Sequence, residues 1–220
     1  MNIDDFIRKS IRKNEEELKK LMMRKKQDRI SELLQKSGLG KRFQKKTFEN
    51  FQITDANRAA FYQAKEFCAN FPNTKRGLLI TGPVGTGKTH LASAVTNDLI
   101  GRLYTVICRN ITDIISLIKS TYGQKTELEE WEIVDILTTE VDLLVIDDLG
   151  KERASENTNT LLYQIINRLY NDERPIVVTT NFTSVTLAEK LGERGQSIVS
   201  RLTEMCEPVR TCGEDWRLKS

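Results

Sequence analysis

A three-layer α/β fold, with helices on both faces of a parallel five-stranded sheet, is the architecture this sequence predicts. Three observations predict it. Short apolar segments alternate with helical periodicities from residue 55 to residue 212. Those segments run almost continuously apolar, as strands buried on both faces do. The glycine-rich stretch Gly82-Pro83-Val84-Gly85-Thr86-Gly87-Lys88-Thr89 joins an apolar segment to a helical pattern, the junction expected where a strand feeds a helix.

The elements follow in order. Residues 3–36 read as one long amphipathic helix, with Ile7, Ile11, Leu18, Leu21, Met22, Ile30, Leu33 and Leu34 at three- and four-residue steps. Ser37-Gly38-Leu39-Gly40 stops it and supplies a hinge. Helices are expected over 55–70, 88–100, 111–121, 128–139 and 158–170, with short ones at 184–191 and 197–206. Strands are expected over 77–81, 104–108, 141–147, 176–180 and 209–212. The predicted organisation is a basic helical arm, 1–45, followed by the α/β unit, 46–220.

Charge separates these two parts. Residues 1–46 hold 15 Lys/Arg against 7 Asp/Glu, a net of +8, and the remainder holds 19 against 24, a net of −5. The arm therefore suits an acidic protein surface or nucleic acid. It docks on another protein, folds back on its own domain or pairs with itself as a short coil; the glycines and the difference in charge favour docking. No apolar run approaches the roughly 20 residues of a membrane span. The acidic start, Met1-Asn2-Ile3-Asp4-Asp5, has no apolar signal region. Cys68, Cys108, Cys206 and Cys212 include no pair at zinc-ligand spacing, and His90 is the sole histidine. The expectation is a cytoplasmic protein with four buried or partly buried thiols.

The glycine-rich stretch fits G-x-x-x-x-G-K-[ST], a nucleotide-phosphate loop. Its backbone N–H groups surround phosphate oxygens, and the following helix N-terminus adds its positive dipole end. Residues Gly82, Pro83, Val84, Gly85, Thr86, Gly87, Lys88, Thr89 and His90 are the expected ATP/ADP contacts. Lys88 reaches the β and γ phosphates, and the Thr89 hydroxyl ligates Mg²⁺. Leu143-Leu144-Val145-Ile146-Asp147-Asp148 is an apolar strand ending in two carboxylates. Asp147 is placed to bind Mg²⁺ through water and Asp148 to orient or deprotonate the attacking water; a plain strand-end cap is the other reading of Asp148. Asn181 ends a third strand, on the edge where parallel sheets bind ligands, and is a γ-phosphate contact or a turn former. Arg194 and Arg201 are candidates for a trans-acting arginine or for surface ion pairs.

Taken together, these residues resemble the AAA+ ATPases, and more closely the DnaC/DnaI-type replicative helicase loaders with their IstB-like relatives. The resemblance is carried by Gly77–Thr81, Gly82 through Ala92, and 143–153 with Asp147-Asp148-Leu149-Gly150-Lys151-Glu152. Thr179-Thr180-Asn181-Phe182, Ser200-Arg201-Leu202-Thr203-Glu204-Met205-Cys206 and Gly213-Glu214-Asp215-Trp216-Arg217 extend it. Thr47-Phe48-Glu49-Asn50-Phe51 matches the family's lead-in, so the resemblance spans about 46–218.

The resemblance implies that Asn181 is the γ-phosphate sensor. It makes Arg201 the arginine finger of a neighbouring subunit's ATP site, so the working form is a helical or open-ring oligomer on a hexameric replicative helicase. It implies slow ATP hydrolysis, stimulated by single-stranded DNA or partner, that times release. It makes the arm the helicase-binding element and places single-stranded DNA near Lys119, Tyr122 and Ser155, where an ordinary helix end is the other reading. Asp148 departs from the glutamate of many AAA+ proteins, being one methylene shorter. Only 19 residues follow Arg201, too few for the usual helical lid, which leaves Arg217 as a substitute for the lid arginine.

The leading expectation is an ATP-dependent helicase loader. An IstB-type helper of a DNA transposase, binding duplex DNA, is the alternative. A stand-alone nucleotide kinase lacks an acceptor pocket and lid in the sequence. A non-catalytic ATP-assembled binding protein sits poorly with Asp148 and Arg201.

Overall fold

A computed structural model describes residues 8, 11, 13–18, 20–22, 24, 25, 41–119, 130–151 and 156–218, with the side chains of 41, 42, 117–119 and 217 outside it. Its order is α1 (Lys41–Gln44), α2 (Arg58–Asn70), β1 (Gly77–Thr81), α3 (Lys88–Gly101), β2 (Val106–Asn110), α4 (Ile111–Lys119) and α5 (Glu130–Asp135). Then come β3 (Leu143–Leu149), α6 (Glu156–Asn171), β4 (Ile176–Thr180), α7 (Ser184–Lys190), α8 (Gly195–Met205) and β5 (Cys206–Arg210). The five strands form one sheet in the order β2-β3-β4-β1-β5, all parallel.

Strand side chains alternate between faces, and both faces are apolar because helices cover both. Leu79, Leu144, Ile146, Ile176 and Val178 join one core with α4, α5, α6 and α8. Leu78, Ile80, Leu143, Val145 and Val177 join the other, with α2 and α3. The carboxyl ends of β1, β3 and β4 thus meet on one edge, carrying the glycine-rich loop, the two carboxylates and Asn181 respectively.

Several boundaries differ from the expected ones for local reasons. Helix α2 starts at Arg58 rather than 55. Buried Asn57 closes a turn first, its Oδ1 accepting from Thr54 N–H at 2.7 Å and its Nδ2 donating to Gln52 O at 3.0 Å. Strand β2 starts at Val106, since Thr105 N–H is taken by the Asp142 carboxylate at 2.7 Å. The helix expected at 128–139 is α-helical over Glu130–Asp135 and widens into a π turn over Ile136–Glu140. There Thr138 and Thr139 hydroxyls donate to the carbonyls of Val134 and Asp135, both at 2.8 Å, and loosen the ladder. Strand β5 spans Cys206–Arg210 rather than 209–212, its start masked in the sequence by Glu207 and by Pro208, which an edge strand tolerates.

The described arm residues in 8–25 are helical, and Ile11, Leu18, Leu21 and Met22 are exposed. The hinge at 37–40 and the other residues of 1–36 lie outside the described residues. Cys68, Cys108 and Cys206 are buried, but Cys212 is exposed. Burial pushes the Cys108 and Cys206 thiols up to about 12, so both stay protonated near neutrality. Among the described residues, no helix is long and apolar enough to cross a membrane.

Candidate nucleotide site

The loop leaves β1 and turns directly into α3. Gly87 is the N-cap of α3 with φ +97°, a left-handed conformation that glycine adopts without strain. A Cβ there would also lie 3.0 Å from the Phe51 ring. The N-terminus of α3, where an α-helix turns its first backbone N–H groups outward, thus follows directly on the loop. Lys88 is 4% exposed, and its ammonium donates to Pro83 O at 2.6 Å across the loop.

Thr89 points at β3. Its hydroxyl donates to Asp147 Oδ1 at 3.0 Å, and the Thr179 hydroxyl donates to the same oxygen at 2.6 Å. Asp147 is 3% exposed. Burial pushes its pKa above the ordinary carboxylate value, and neighbouring Asp148 pushes the same way against the two hydroxyl bonds. A bulge between Ile146 and Leu149 breaks the register with β4. It leaves Asp148 at φ +60°, its N–H donating to Thr179 Oγ1 at 2.8 Å and its carboxylate paired with Lys151.

Lys88, Thr89 and Asp148 border a cavity of about 290 Å³, with Val84, Gly85, Gly87, His90, Lys151 and Asn181, whereas Asp147 and Thr179 are not part of its lining. Gly82, Pro83 and Thr86, also expected as contacts, do not line it. Buried Thr86 turns instead to Thr211, hydroxyl to hydroxyl at 2.7 Å. His90 lines the cavity but spends Nε2 on Thr47 O (3.0 Å) and Asn50 Oδ1 (2.9 Å). Burial lowers its pKa, so it is neutral at pH 7.

Sequence reasoning missed the other wall: Lys46, Asn50, Phe51, Gln52, Asn57 and Trp216. The available signal was the lead-in 47–51 and the terminal Gly213–Arg217 motif, both recognised but not assigned to the site.

Arg201 does not line this cavity. It sits on α8, its Nε donating to Asn167 Oδ1 at 3.0 Å and its Nη atoms to Ser197 O and Tyr163 Oη. Arg194 stacks on the same Tyr163 ring, 5.2 Å from its centroid. Tyr122, Ser155 and the side chains of Lys119 and Arg217 lie outside the described residues.

Residues 11–220 match the family model of IstB-like ATP binding proteins. The chain belongs to the IstB-like ATP-binding protein family. It is an AAA+ P-loop member: over 160 residues it is 31% identical to the replicative helicase loader DnaC of Escherichia coli K12, covering 72% of this chain. It spans 64% of that relative's length. A crystal structure of the DnaC helicase loader is 26% identical with a TM-score of 0.68, covering 79% of this IstB-like chain and all of that one. AMPPCP-bound DnaA from Aquifex aeolicus is 30% identical with a TM-score of 0.65, covering 76% of this chain and 50% of that one.

Proposed function

We propose that this protein loads a hexameric replicative helicase onto single-stranded DNA, using ATP bound between its own subunits and hydrolysed to time release. The observation that carries the reading is its likeness, over 160 residues, to the replicative helicase loader DnaC. The arm, 1–45, docks the helicase, and 46–220 is the ATPase unit. The exposed Ile11, Leu18, Leu21 and Met22 support docking, because an apolar helical stripe in water favours a partner.

At the site, Lys88 moves from Pro83 O to the β and γ phosphates, and the N–H groups at the start of α3 hold the phosphate oxygens. Thr89 and Asp147 fit a Mg²⁺ ion: their oxygens already touch, and a cation offsets the unfavourable burial of the Asp147 carboxylate. When bound, the ion neutralises charge developing on the phosphates. Asp148 orients or deprotonates the attacking water once Lys151 releases it. Asn181 reads the γ-phosphate. Arg201, which does not line its own cavity, completes the site of a neighbouring copy, which makes the working form an oligomer. Lys119, Tyr122 and Ser155 contact single-stranded DNA.

Size-exclusion chromatography of the protein with its cognate replicative helicase tests the reading. Co-elution, lost when residues 1–40 are removed, is expected; separate elution with and without MgATP contradicts it. The family model's description favours a second reading, an IstB-type transposase helper. ATP-dependent binding of duplex DNA without helicase binding distinguishes it.

A further inference from the structure

The segment after β5 is tied to the phosphate loop along its length. Thr211 N–H donates to Thr81 O at 2.8 Å, and its hydroxyl meets Thr86 Oγ1. Trp216 N–H donates to Gly85 O at 3.3 Å. The contact is close: a Cβ at Gly82 would lie 2.1 Å from Thr211 O, and one at Gly85 would lie 1.8 Å from Asp215 Oδ1. The side-chain positions of two loop glycines are thus filled by this strap.

The strap delivers Trp216 to the cavity beside Val84, Gly85, Gln52 and Asn57. The other large aromatic of the lining, Phe51, is buried, stacked on Phe61 with centroids 5.6 Å apart and edge-on to His90. Trp216 is half-buried. Lys88, Thr89 and Asp148 supply the groups that suit phosphate; a flat, apolar ring system needs a different wall, and an indole face provides one.

We propose that Trp216 is the nucleobase platform of this site, stacking on the purine so that the strap 211–216 senses nucleotide occupancy. The proposal rests on the cavity being the nucleotide site.

Trp131, exposed at the start of α5, is the only other tryptophan, so Trp131→Phe leaves Trp216 as the sole indole reporter. In that background ADP is expected to change Trp216 emission saturably, while tripolyphosphate, which lacks a base, leaves it unchanged. Calorimetry is expected to show ADP affinity about tenfold weaker in Trp216→Ala and largely restored in Trp216→Phe. Thermal unfolding without ligand checks that each variant is folded. Lys88-dependent ADP binding with no emission change and no loss in Trp216→Ala overturns the platform alone. Failure of ADP to bind the unaltered protein overturns the nucleotide site and the platform together.

Discussion

The Thr179 hydroxyl donates to Asp147 Oδ1 at 2.6 Å across the β3–β4 boundary. The Thr179 hydroxyl oxygen in turn accepts the Asp148 N–H at 2.8 Å. One side chain on β4 thereby fixes a buried carboxylate and the bulge that presents its neighbour. Because Asn181 follows two residues later, β4 links the proposed phosphate sensor to both acidic groups.

Thr179→Val keeps the shape and removes the hydroxyl. It should leave the Asp148 N–H without its acceptor and Asp147 Oδ1 with the Thr89 hydroxyl as its remaining donor, costing about 1–3 kcal/mol of stability by thermal unfolding. ATPase turnover should fall further than stability does, and Thr179→Ser should restore it.

Lys88→Ala should abolish nucleotide binding measured by calorimetry, with affinity falling at least about a hundredfold, as expected for loss of a charge-assisted phosphate contact. Full ATPase activity in this variant sinks the site assignment.

Arg201→Ala should bind ATP normally and lose hydrolysis. Mixing it with Lys88→Ala should restore activity, because one variant supplies the finger and the other an intact site. Absence of rescue at any ratio contradicts a site shared between subunits.

Asp147 has its folded-state pKa raised, so the folded protein binds a proton more readily than the unfolded chain. In the ligand-free protein this contribution to stability is lost as pH rises from the unfolded value through the folded one. Asp147→Asn should therefore raise the melting temperature of the ligand-free protein at neutral pH. It should also remove the stabilisation given by MgATP, and a lower melting temperature without ligand contradicts this account.

The sheet was legible because β1, β3 and β4 are buried on both faces and so are continuously apolar. The meeting of Thr89 and Asp147 was legible because a loop after one parallel strand and carboxylates ending another come to the same sheet edge. The bulge at Asp148 was not legible, since it arises from the β3–β4 register rather than from any local motif. The wall formed by Asn50, Phe51, Asn57 and Trp216 was hidden for a similar reason. These residues come from opposite ends of the α/β unit and meet only when β1 and β5 pair. Strand β5 was misplaced because its edge position relaxes the apolar pattern at Glu207 and Pro208.

Deposition of the cognate hexameric helicase on a closed circle of single-stranded DNA tests the loader reading most directly, because a closed circle enters only an opened ring. With this protein and MgATP, helicase should co-sediment with the circle well above the level seen without it. Equal recovery of helicase on the circle in its presence and absence would contradict the loader function.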